Sequence, residues 1–163
     1  MLSLTLGCMF SGKTTALIQN KGMILDYDTT DEKEYYISIL CSHNNEMTHC
    51  IKTKTLCSID ISMTDNISIN EAQFFPDLIP FVKEALRQKK NVHVYGLDGD
   101  FQQNPFGDIL SLIPLADSYT KLYAKCTCGK KASFSKRLST NTDQYAPHDT
   151  YRPSCRTCLT SDE

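Results

Sequence analysis

Gly7-Cys8-Met9-Phe10-Ser11-Gly12-Lys13-Thr14 is the stretch that decides the fold, and Thr15 continues it. These residues match G-x-x-x-x-G-K-[ST], the pattern of a phosphate-binding P-loop. They follow an alternating segment, residues 2–6, that is typical of a buried strand, and they open a segment, residues 14–27, that we expect to be helical. Strand, glycine loop and helix are the context that the motif requires, and they predict an α/β core. A chance match in an ordinary turn is the alternative, and this context counts against it.

The residue types in this loop suit a chain of phosphates. Glycine at positions 7 and 12 lets successive backbone N–H groups turn inward around a phosphate, and the new helix points its positive end at the same place. Lys13 adds a mobile positive charge for the outer phosphates, and the Thr14 hydroxyl can bind Mg²⁺.

Length and composition limit the classes of protein to which the chain can belong. With 163 residues it can form one α/β core and a small appendage. The formal net charge of −2 gives no overall basic field, and no apolar run approaches the roughly 20 residues of a membrane span. Met1 runs straight into the first predicted strand without a signal peptide. We therefore expect a cytoplasmic protein without nucleic-acid or membrane partners.

Downstream of the first helix, residues 35–40 are rich in strand-forming side chains and predict a core strand. The pattern breaks over residues 41–55, which we interpret as a loop at a strand end, where ligands of open α/β sheets gather. This loop contains His43 and His49, and a histidine bonded to the backbone is the ordinary interpretation of each.

A second informative stretch is residues 66–75. Ile67 and Ile69 alternate as in a buried strand, which ends at Asn70 and Glu71. A carboxylate at this position of a P-loop protein can hold the metal through water or take a proton from an attacking hydroxyl. Glu71 is therefore the candidate general base, and a surface carboxylate that begins a loop is the alternative.

The next segments predict a helix followed by strands. Asp77 is expected to cap a helix that closes with the positive charges of residues 87–90, and residues 91–97 predict another strand. This β-helix-β spacing supports parallel pairing. Residues 118–125 alternate as a further strand.

Four C-terminal cysteines form two close pairs, Cys126 with Cys128 and Cys155 with Cys158. Two such pairs separated by a loop are typical of a tetrahedral thiolate zinc site, which can staple a region too small for its own core. The single residue between the first two cysteines is an unusual spacing. Four reduced cysteines without metal are the alternative, and a disulfide is less favoured in the cytosol.

Taken together, five stretches in order resemble the type II thymidine kinases of cells, bacteria and large DNA viruses. They are the P-loop, residues 71–77, residues 97–102 with the nearby residues 105–107, residues 132–138, and the four C-terminal cysteines. Any one of these motifs is weak, but all five in the family's order are specific.

This resemblance implies a fold and an activity. The fold is a P-loop, RecA-like α/β core with a mostly parallel sheet over residues 1–125, and a zinc-binding lasso domain over residues 126–163 that covers the nucleoside. The activity is transfer of the ATP γ-phosphoryl group to the 5′-hydroxyl of thymidine, giving dTMP, with Glu71 taking the hydroxyl proton. The resemblance also implies a homotetramer that is inhibited by thymidine triphosphate.

The same resemblance assigns further residues to the site. Phe74 and Phe101 would flank the thymine, and the lasso would bind the base through main-chain atoms. ATP would be held by Gly7, Cys8, Met9, Phe10, Ser11, Gly12, Lys13, Thr14 and Thr15, with Thr14 also on Mg²⁺. The nucleoside would be contacted by Met9, Phe74, Leu97, Asp98, Phe101, Ser135, Tyr145 and Tyr151. Structural zinc would be held by Cys126, Cys128, Cys155 and Cys158.

The chain departs from the family pattern at several positions. Asn70 stands where the family usually has an aspartate. Our alignment places Asn44 and Glu46 where the family has an aspartate and an arginine in the loop after its second strand. Mg²⁺ prefers carboxylate ligands, so metal affinity or rate is expected to be lower. Residues 144–147 replace a stretch that commonly ends in two glycines, which changes how closely the backbone can approach the base.

Two other hypotheses follow from these residues. The substitutions at positions 44 and 70 motivate a catalytically weak protein that binds or senses nucleotide. A third hypothesis makes the cysteine ribbon a nucleic-acid contact, on the basis of five basic residues, Lys125, Lys130, Lys131, Lys136 and Arg137. Such a charge run is more often a solvated face, because nucleic-acid affinity requires a basic field.

Overall fold

The structure is a computed structural model that describes residues 1–30, 35–146 and 148–161. The strands are β1 Leu2–Gly7, β2 Met23–Tyr27, β3 Tyr35–Cys41, β4 Met47–Thr53, β5 Asn66–Ile69, β6 Asn91–Gly96, β7 Ser118–Leu122, β8 Ala124–Lys125, β9 Lys131–Ala132, β10 Phe134–Arg137 and β11 Tyr151–Ser154. The α-helices are α1 Lys13–Ile18, α2 Leu78–Arg87 and α3 Arg156–Thr160. Two 3₁₀ segments cover Ala72–Phe74 and Ile109–Leu115.

A seven-stranded sheet in the order β3-β4-β2-β5-β6-β1-β7 forms the body of the protein. Every neighbouring pair from β4 to β7 is parallel, and β3 joins the edge antiparallel to β4. The predicted mostly parallel α/β fold is therefore confirmed. Because β1 lies between β6 and β7, the loop that follows it emerges inside the sheet and not at its margin.

The core forms where the central strands meet α2. Apolar side chains at alternating strand positions pack against one face of that helix, as the spacing of residues 81, 82, 85 and 86 predicted. Its fully buried members include Leu4, Ile67, Ile69, Val94, Leu78 and Val82. Strands buried on both faces are typical of parallel sheets, and this burial makes the carboxyl ends of β1, β5 and β6 a rigid platform.

The predicted helix over residues 14–27 is wrong beyond Ile18. The chain turns at Gly22, which has φ +138 and approaches the backbone of Asn66 so closely that a Cβ there would clash, and it then forms β2. Ile24 and Leu25 are buried, and β2 pairs with β4 on one side and with β5 on the other. Tertiary pairing thus decides the state of an apolar run that local pattern leaves ambiguous.

The region over residues 35–55 also differs from the prediction. Residues 35–41 form a strand, but it is an edge strand and not a core strand, with Ile37 78% exposed. The predicted loop is limited to a short turn, where Ser42 N–H bonds Glu46 O, because β4 returns antiparallel along β3. The hydrogen bonds of that hairpin override the weak strand propensity of the polar residues in β4.

Further along the chain, most predicted elements are confirmed with small changes. Strands β5 and β6 form as expected, whereas residues 118–125 divide into β7 and β8. Asp77 occupies the N-cap position of α2 without capping it, because its carboxylate accepts a 2.7 Å hydrogen bond from the Cys57 N–H. Beyond β7, two small antiparallel pairs, β8 with β9 and β10 with β11, precede α3. Over the described ranges, no helix has both the length and the apolar character needed to cross a membrane.

Candidate active site

A cavity of about 860 Å³ lies where the central parallel strands end. Its walls come from the loops after β1, β5 and β6, from the end of β2, from β4 and the β3–β4 turn, and from the C-terminal loop. This is the position at which open α/β sheets bind their ligands. The predicted site residues that line it are Met9, Phe10, Ser11, Gly12, Lys13, Thr14, Thr15, Glu71, Phe74, Leu97, Phe101, Ser135, Tyr145 and Tyr151.

The P-loop joins β1 to α1 in the conformation that the motif requires. Gly12 lies in the left-handed region at φ +86, and a Cβ at Gly7 would lie 2.6 Å from the Leu122 oxygen. Lys13 is buried, and its Nζ donates to the main-chain oxygens of Gly7 at 3.1 Å and Cys8 at 2.8 Å. Burial lowers the pKa of Lys13. The loop therefore presents an ammonium group together with the backbone N–H groups that begin α1, an arrangement suited to phosphate.

Glu71 directly follows β5 and faces this cavity. Its backbone is left-handed at φ 49, which is uncommon for a residue with a side chain. Gln73 Nε2 donates to Glu71 Oε2 at 2.7 Å, and Gln73 Oε1 accepts the Leu97 N–H at 3.0 Å. Gly107 has φ +56 and lies against the Gln73 backbone, where a Cβ would clash. The carboxylate is therefore oriented by a buried amide that is fixed to the end of β6.

Aromatic rings line the part of the cavity next to Glu71. The Phe74 ring meets Tyr145 at 4.7 Å and 62°, Phe106 at 5.3 Å and 88°, and Tyr27 at 5.2 Å and 39°. Phe101, Met9 and Leu97 line the same cavity. Rigid aromatic faces bury a planar ring at low cost in side-chain entropy, so this wall suits a nucleobase.

Arg137, in β10, organises the loop that closes the cavity. The residue is 6% exposed, and its guanidinium lies 3.8 Å above the Phe101 ring. It donates to the Tyr151 hydroxyl at 2.5 Å and pairs with Asp149 at 3.3 Å. It also donates to three main-chain oxygens, those of Asn141, Asp143 and Gln144. One planar side chain thus fixes both ends of this loop against an aromatic wall of the cavity.

Two further hydrogen bonds connect the C-terminal region to the sheet. The Met9 N–H donates to Ser135 Oγ at 2.9 Å, so Ser135 contacts the P-loop directly. Gln144 Nε2 donates to Asp100 Oδ2 at 2.9 Å. Strand β10 therefore contacts the P-loop, and the C-terminal loop contacts the segment that follows β6.

Not every expected residue lies in the main cavity. Asp98 pairs with Lys121 at 2.5 Å and lines a neighbouring cavity of about 100 Å³ with Cys8. Asp98 therefore lines the smaller cavity and not the main one. Of the basic residues that motivated a nucleic-acid contact, Arg137 is buried and Lys136 donates to main-chain oxygens of Cys158 and Ser161. These two cations already have intramolecular roles.

The four C-terminal cysteines converge as predicted. Their sulfurs all lie within 4.8 Å of one another, and Cys128 Sγ is 3.6 Å from Cys155 Sγ. Sulfurs around a tetrahedral zinc ion with Zn–S bonds of about 2.3 Å are about 3.8 Å apart, so the cluster fits zinc. Backbone N–H groups of Cys128 and Cys155 lower the pKa of Cys126 to about 6, whereas hydrogen bonds with the other thiols raise the pKa of Cys158 to about 12. A divalent cation would favour all four thiolates.

The placement of Asn44 and Glu46 in the loop after the second strand is wrong. The second strand is β2, so the loop after it begins at Asp28, while Asn44 and Glu46 lie at the β3–β4 turn. The Asp28 carboxylate is buried and accepts hydrogen bonds from Thr30 and Tyr36. Residues 31–34 of that loop, and Pro147 of the lasso stretch, lie outside the described residues.

Several residues of the site escaped the sequence analysis. Asp26 and Lys52 line the cavity, and Gln73 and Arg137 orient its walls. Asp26 lies in the strand that was predicted as helix, and Lys52 lies in the strand that was predicted as loop. A polar residue within an apolar run, as in Met23–Tyr27, was the available signal for a strand that ends at a site.

Comparisons with known proteins agree with this geometry. The family model described as thymidine kinase matches residues 1–159. The chain is 38% identical to the thymidine kinases of monkeypox virus and vaccinia virus (strain Western Reserve), with 96% of this chain and 95% of each relative covered. A thymidine kinase of variola virus is also 38% identical over the same shares of the two chains. The chain therefore belongs to the thymidine kinase family.

Proposed function

We propose that this enzyme transfers the γ-phosphoryl group of ATP to the 5′-hydroxyl of thymidine and releases dTMP and ADP. The observation that carries the proposal is that the P-loop, Glu71 and the aromatic wall around Phe74 face one cavity. Family membership and the names of the viral relatives support the same substrate pair.

The P-loop would hold the triphosphate. Backbone N–H groups of residues 7–15 would surround the phosphates, and Lys13 would exchange its main-chain partners for phosphate oxygens. The Thr14 hydroxyl lines the cavity at the start of α1 and would contact Mg²⁺, which supplies charge neutralisation at the β- and γ-phosphates when bound. Phosphoryl transfer depends chiefly on this positioning and electrostatic stabilisation.

Glu71 would act on the nucleoside. Its carboxylate would accept the proton of the 5′-hydroxyl as that oxygen attacks the γ-phosphorus. The hydrogen bond from Gln73 Nε2 to Glu71 Oε2 would keep the carboxylate in position. Phe74 and Phe101 would flank the thymine, with Met9 and Leu97 completing the apolar slot. Tyr145, Tyr151 and Ser135 would contribute from the loop side of the cavity, where main-chain atoms of the lasso would bind the base.

The C-terminal segment, residues 126–163, would be a zinc-stapled lasso. The four cysteines would hold a structural zinc ion that fixes the base of the lasso and leaves its tip free to close over the nucleoside. A cytoplasmic homotetramer inhibited by thymidine triphosphate completes the proposal. Light scattering would test the tetramer, and inhibition kinetics would test the effect of thymidine triphosphate.

A coupled ADP-release assay tests the main proposal. With ATP and Mg²⁺, thymidine should support turnover, whereas deoxycytidine and deoxyguanosine should support little. If the nucleosides were equivalent, the proposed substrate assignment would be wrong.

Asn70 favours one other candidate, a nucleotide sensor with weak catalysis, because it provides an amide where the family usually has a carboxylate. Nucleotide binding without measurable phosphoryl transfer in either Mg²⁺ or Mn²⁺ would support that candidate over the kinase.

A further inference from the structure

Three polar side chains form a network on the cavity wall formed by β2, β4 and the end of β5. Asp26 and Lys52 are directly paired across the parallel strands β2 and β4, and Lys52 Nζ lies 2.6 Å from Asp26 Oδ2. Asn70 Nδ2 donates to the other carboxylate oxygen of Asp26 at 2.8 Å. All three residues line the cavity that contains the P-loop.

This network explains why an amide suits position 70. The Asp26 side chain is 3% exposed, so its carboxylate needs donors to compensate for the loss of water. An amide at position 70 supplies one, whereas a second carboxylate there would bring two negative charges together. Asn70 is therefore matched to Asp26, and the negative charge on this wall lies one strand away from position 70.

The same network holds a cation at the cavity. The Lys52 side chain is 24% exposed, and its ammonium carries three N–H donors, of which Asp26 takes one. Although burial opposes the charged form, the hydrogen bond and the charge of Asp26 raise the pKa of Lys52. Within the described parts of the chain, the cavity is lined by two ammonium groups, those of Lys13 and Lys52.

We propose that Lys52 is a second phosphate-binding residue, held in place by Asp26, that contacts the terminal phosphate of the nucleotide from the part of the cavity wall formed by β2 and β4. The inference deepens the proposed function and rests on it. A transferring phosphoryl group spreads negative charge over its oxygens, and cations aimed at that charge are the main source of catalysis in such sites. Lys13 lies in the P-loop at the start of α1, whereas Lys52 lies in β4, so the second ammonium adds positive charge from a different element of the fold.

A buried ion pair on its own would serve the fold only weakly, because desolvation offsets much of its attraction. If the pair were purely structural, its removal would change the affinities for ATP and ADP by the same factor. Discrimination between ATP and ADP therefore separates a phosphate-binding role from a structural one.

The test compares ATP and ADP affinities by calorimetry in Mg²⁺ buffer for the wild type, Lys52→Met and the control Lys83→Met, which removes an exposed lysine of α2. We expect Lys52→Met to weaken ATP binding about tenfold, as for loss of one charged hydrogen bond, and to leave ADP binding nearly unchanged. Lys83→Met should bind both nucleotides as the wild type does.

A double variant, Asp26→Asn with Lys52→Met, guards against misfolding because it removes both charges of the pair. It should show the same selective loss of ATP affinity with an unchanged circular dichroism spectrum. An unaltered ATP-to-ADP affinity ratio in either folded variant overturns the inference and leaves the proposed function intact if the wild type still phosphorylates thymidine. Failure of the wild type to bind ATP at all overturns both.

Discussion

Gln73 donates a 2.7 Å hydrogen bond to the Glu71 carboxylate, and its other amide atom accepts the Leu97 N–H at the end of β6. The amide therefore links the candidate base to the central sheet. Glu71 itself adopts a left-handed backbone, so its direction depends on such support from its surroundings. The direction of the Glu71 carboxylate is thus set by a neighbouring amide that is itself fixed to the sheet.

Replacing Gln73 by Met tests this link. The variant keeps the volume of the side chain but leaves the Leu97 N–H without its acceptor and Glu71 without its donor. We expect turnover to fall by about tenfold to a hundredfold, since small misplacement of a catalytic group has effects of that size. The Michaelis constant for ATP should change little. Steady-state ADP release measures both quantities.

The control is Gln88→Met, which alters an exposed glutamine of the α2 terminus. It should behave as the wild type. Equal turnover for the wild type and the Gln73 variant would show that Glu71 is oriented by other contacts.

Much of the site could be predicted because its residues follow strands with clear alternation. Glu71 comes directly after Ile67 and Ile69, and the P-loop directly after β1, so the position of each at a strand end could be inferred. The cysteine cluster was predictable because short-range pairs converge whenever a metal holds them.

What could not be predicted depended on pairing between distant segments. The run at residues 23–27 is compatible with a helix until β4 and β5 are known to flank it, and the role of Asp26 was therefore missed. Arg137 belongs to a basic run in the sequence, but its partners are main-chain oxygens of the C-terminal loop and the ring of Phe101, which follows β6. No pattern in the local sequence encodes those contacts.

Arg137→Lys should loosen the loop over the cavity. Lysine lacks the planar fork, so it cannot both cover Phe101 and reach the Tyr151 hydroxyl and the loop oxygens. We expect the Michaelis constant for thymidine to rise about tenfold, and the free energy of unfolding to fall by about 1–2 kcal/mol because partly buried acceptors lose their partner. The rate of ADP release as a function of thymidine concentration measures the first effect, and urea unfolding measures the second.

Arg87→Lys provides the comparison for this substitution, since Arg87 is exposed and pairs only locally with Glu84. It should leave both quantities unchanged. If the Arg137 variant had the same Michaelis constant for thymidine as the wild type, the loop would be held in place without the guanidinium.

Metal removal should reduce the affinity for the nucleoside more than the affinity for the nucleotide. We expect about one zinc ion per chain by elemental analysis, because the cysteine cluster has four thiols at ligand distances. Chelation, or Cys155→Ser, should lower the melting temperature and weaken thymidine binding more than ATP binding, since the cluster lies in the lasso segment and not in the P-loop. Cys57→Ser, at an exposed cysteine outside the cluster, is the control. Unchanged thymidine affinity after metal removal would contradict the role given to zinc in the lasso, and a protein isolated without zinc would contradict the metal assignment itself.

Stability should depend on pH through His93. Burial lowers the pKa of His93, whose Nδ1 lies 2.8 Å from Ser3 Oγ. As pH falls below about 6.5, His93 binds a proton in the unfolded chain but stays neutral in the folded chain. The free energy of unfolding therefore decreases until the pH passes the pKa of His93 in the folded chain. Urea unfolding between pH 8 and pH 5 should show a smaller decrease for His93→Gln than for the wild type. Parallel pH profiles for the two proteins would exclude this contribution.

The most direct measurement of the central claim is turnover of Glu71→Gln alongside its binding of ATP and thymidine. The variant keeps the shape of the side chain and an acceptor for Gln73, but it cannot take a proton. The account predicts a loss of turnover of about a hundredfold or more, as for removal of a general base, with both ligands still bound at near wild-type affinity. Turnover close to that of the wild type would contradict it.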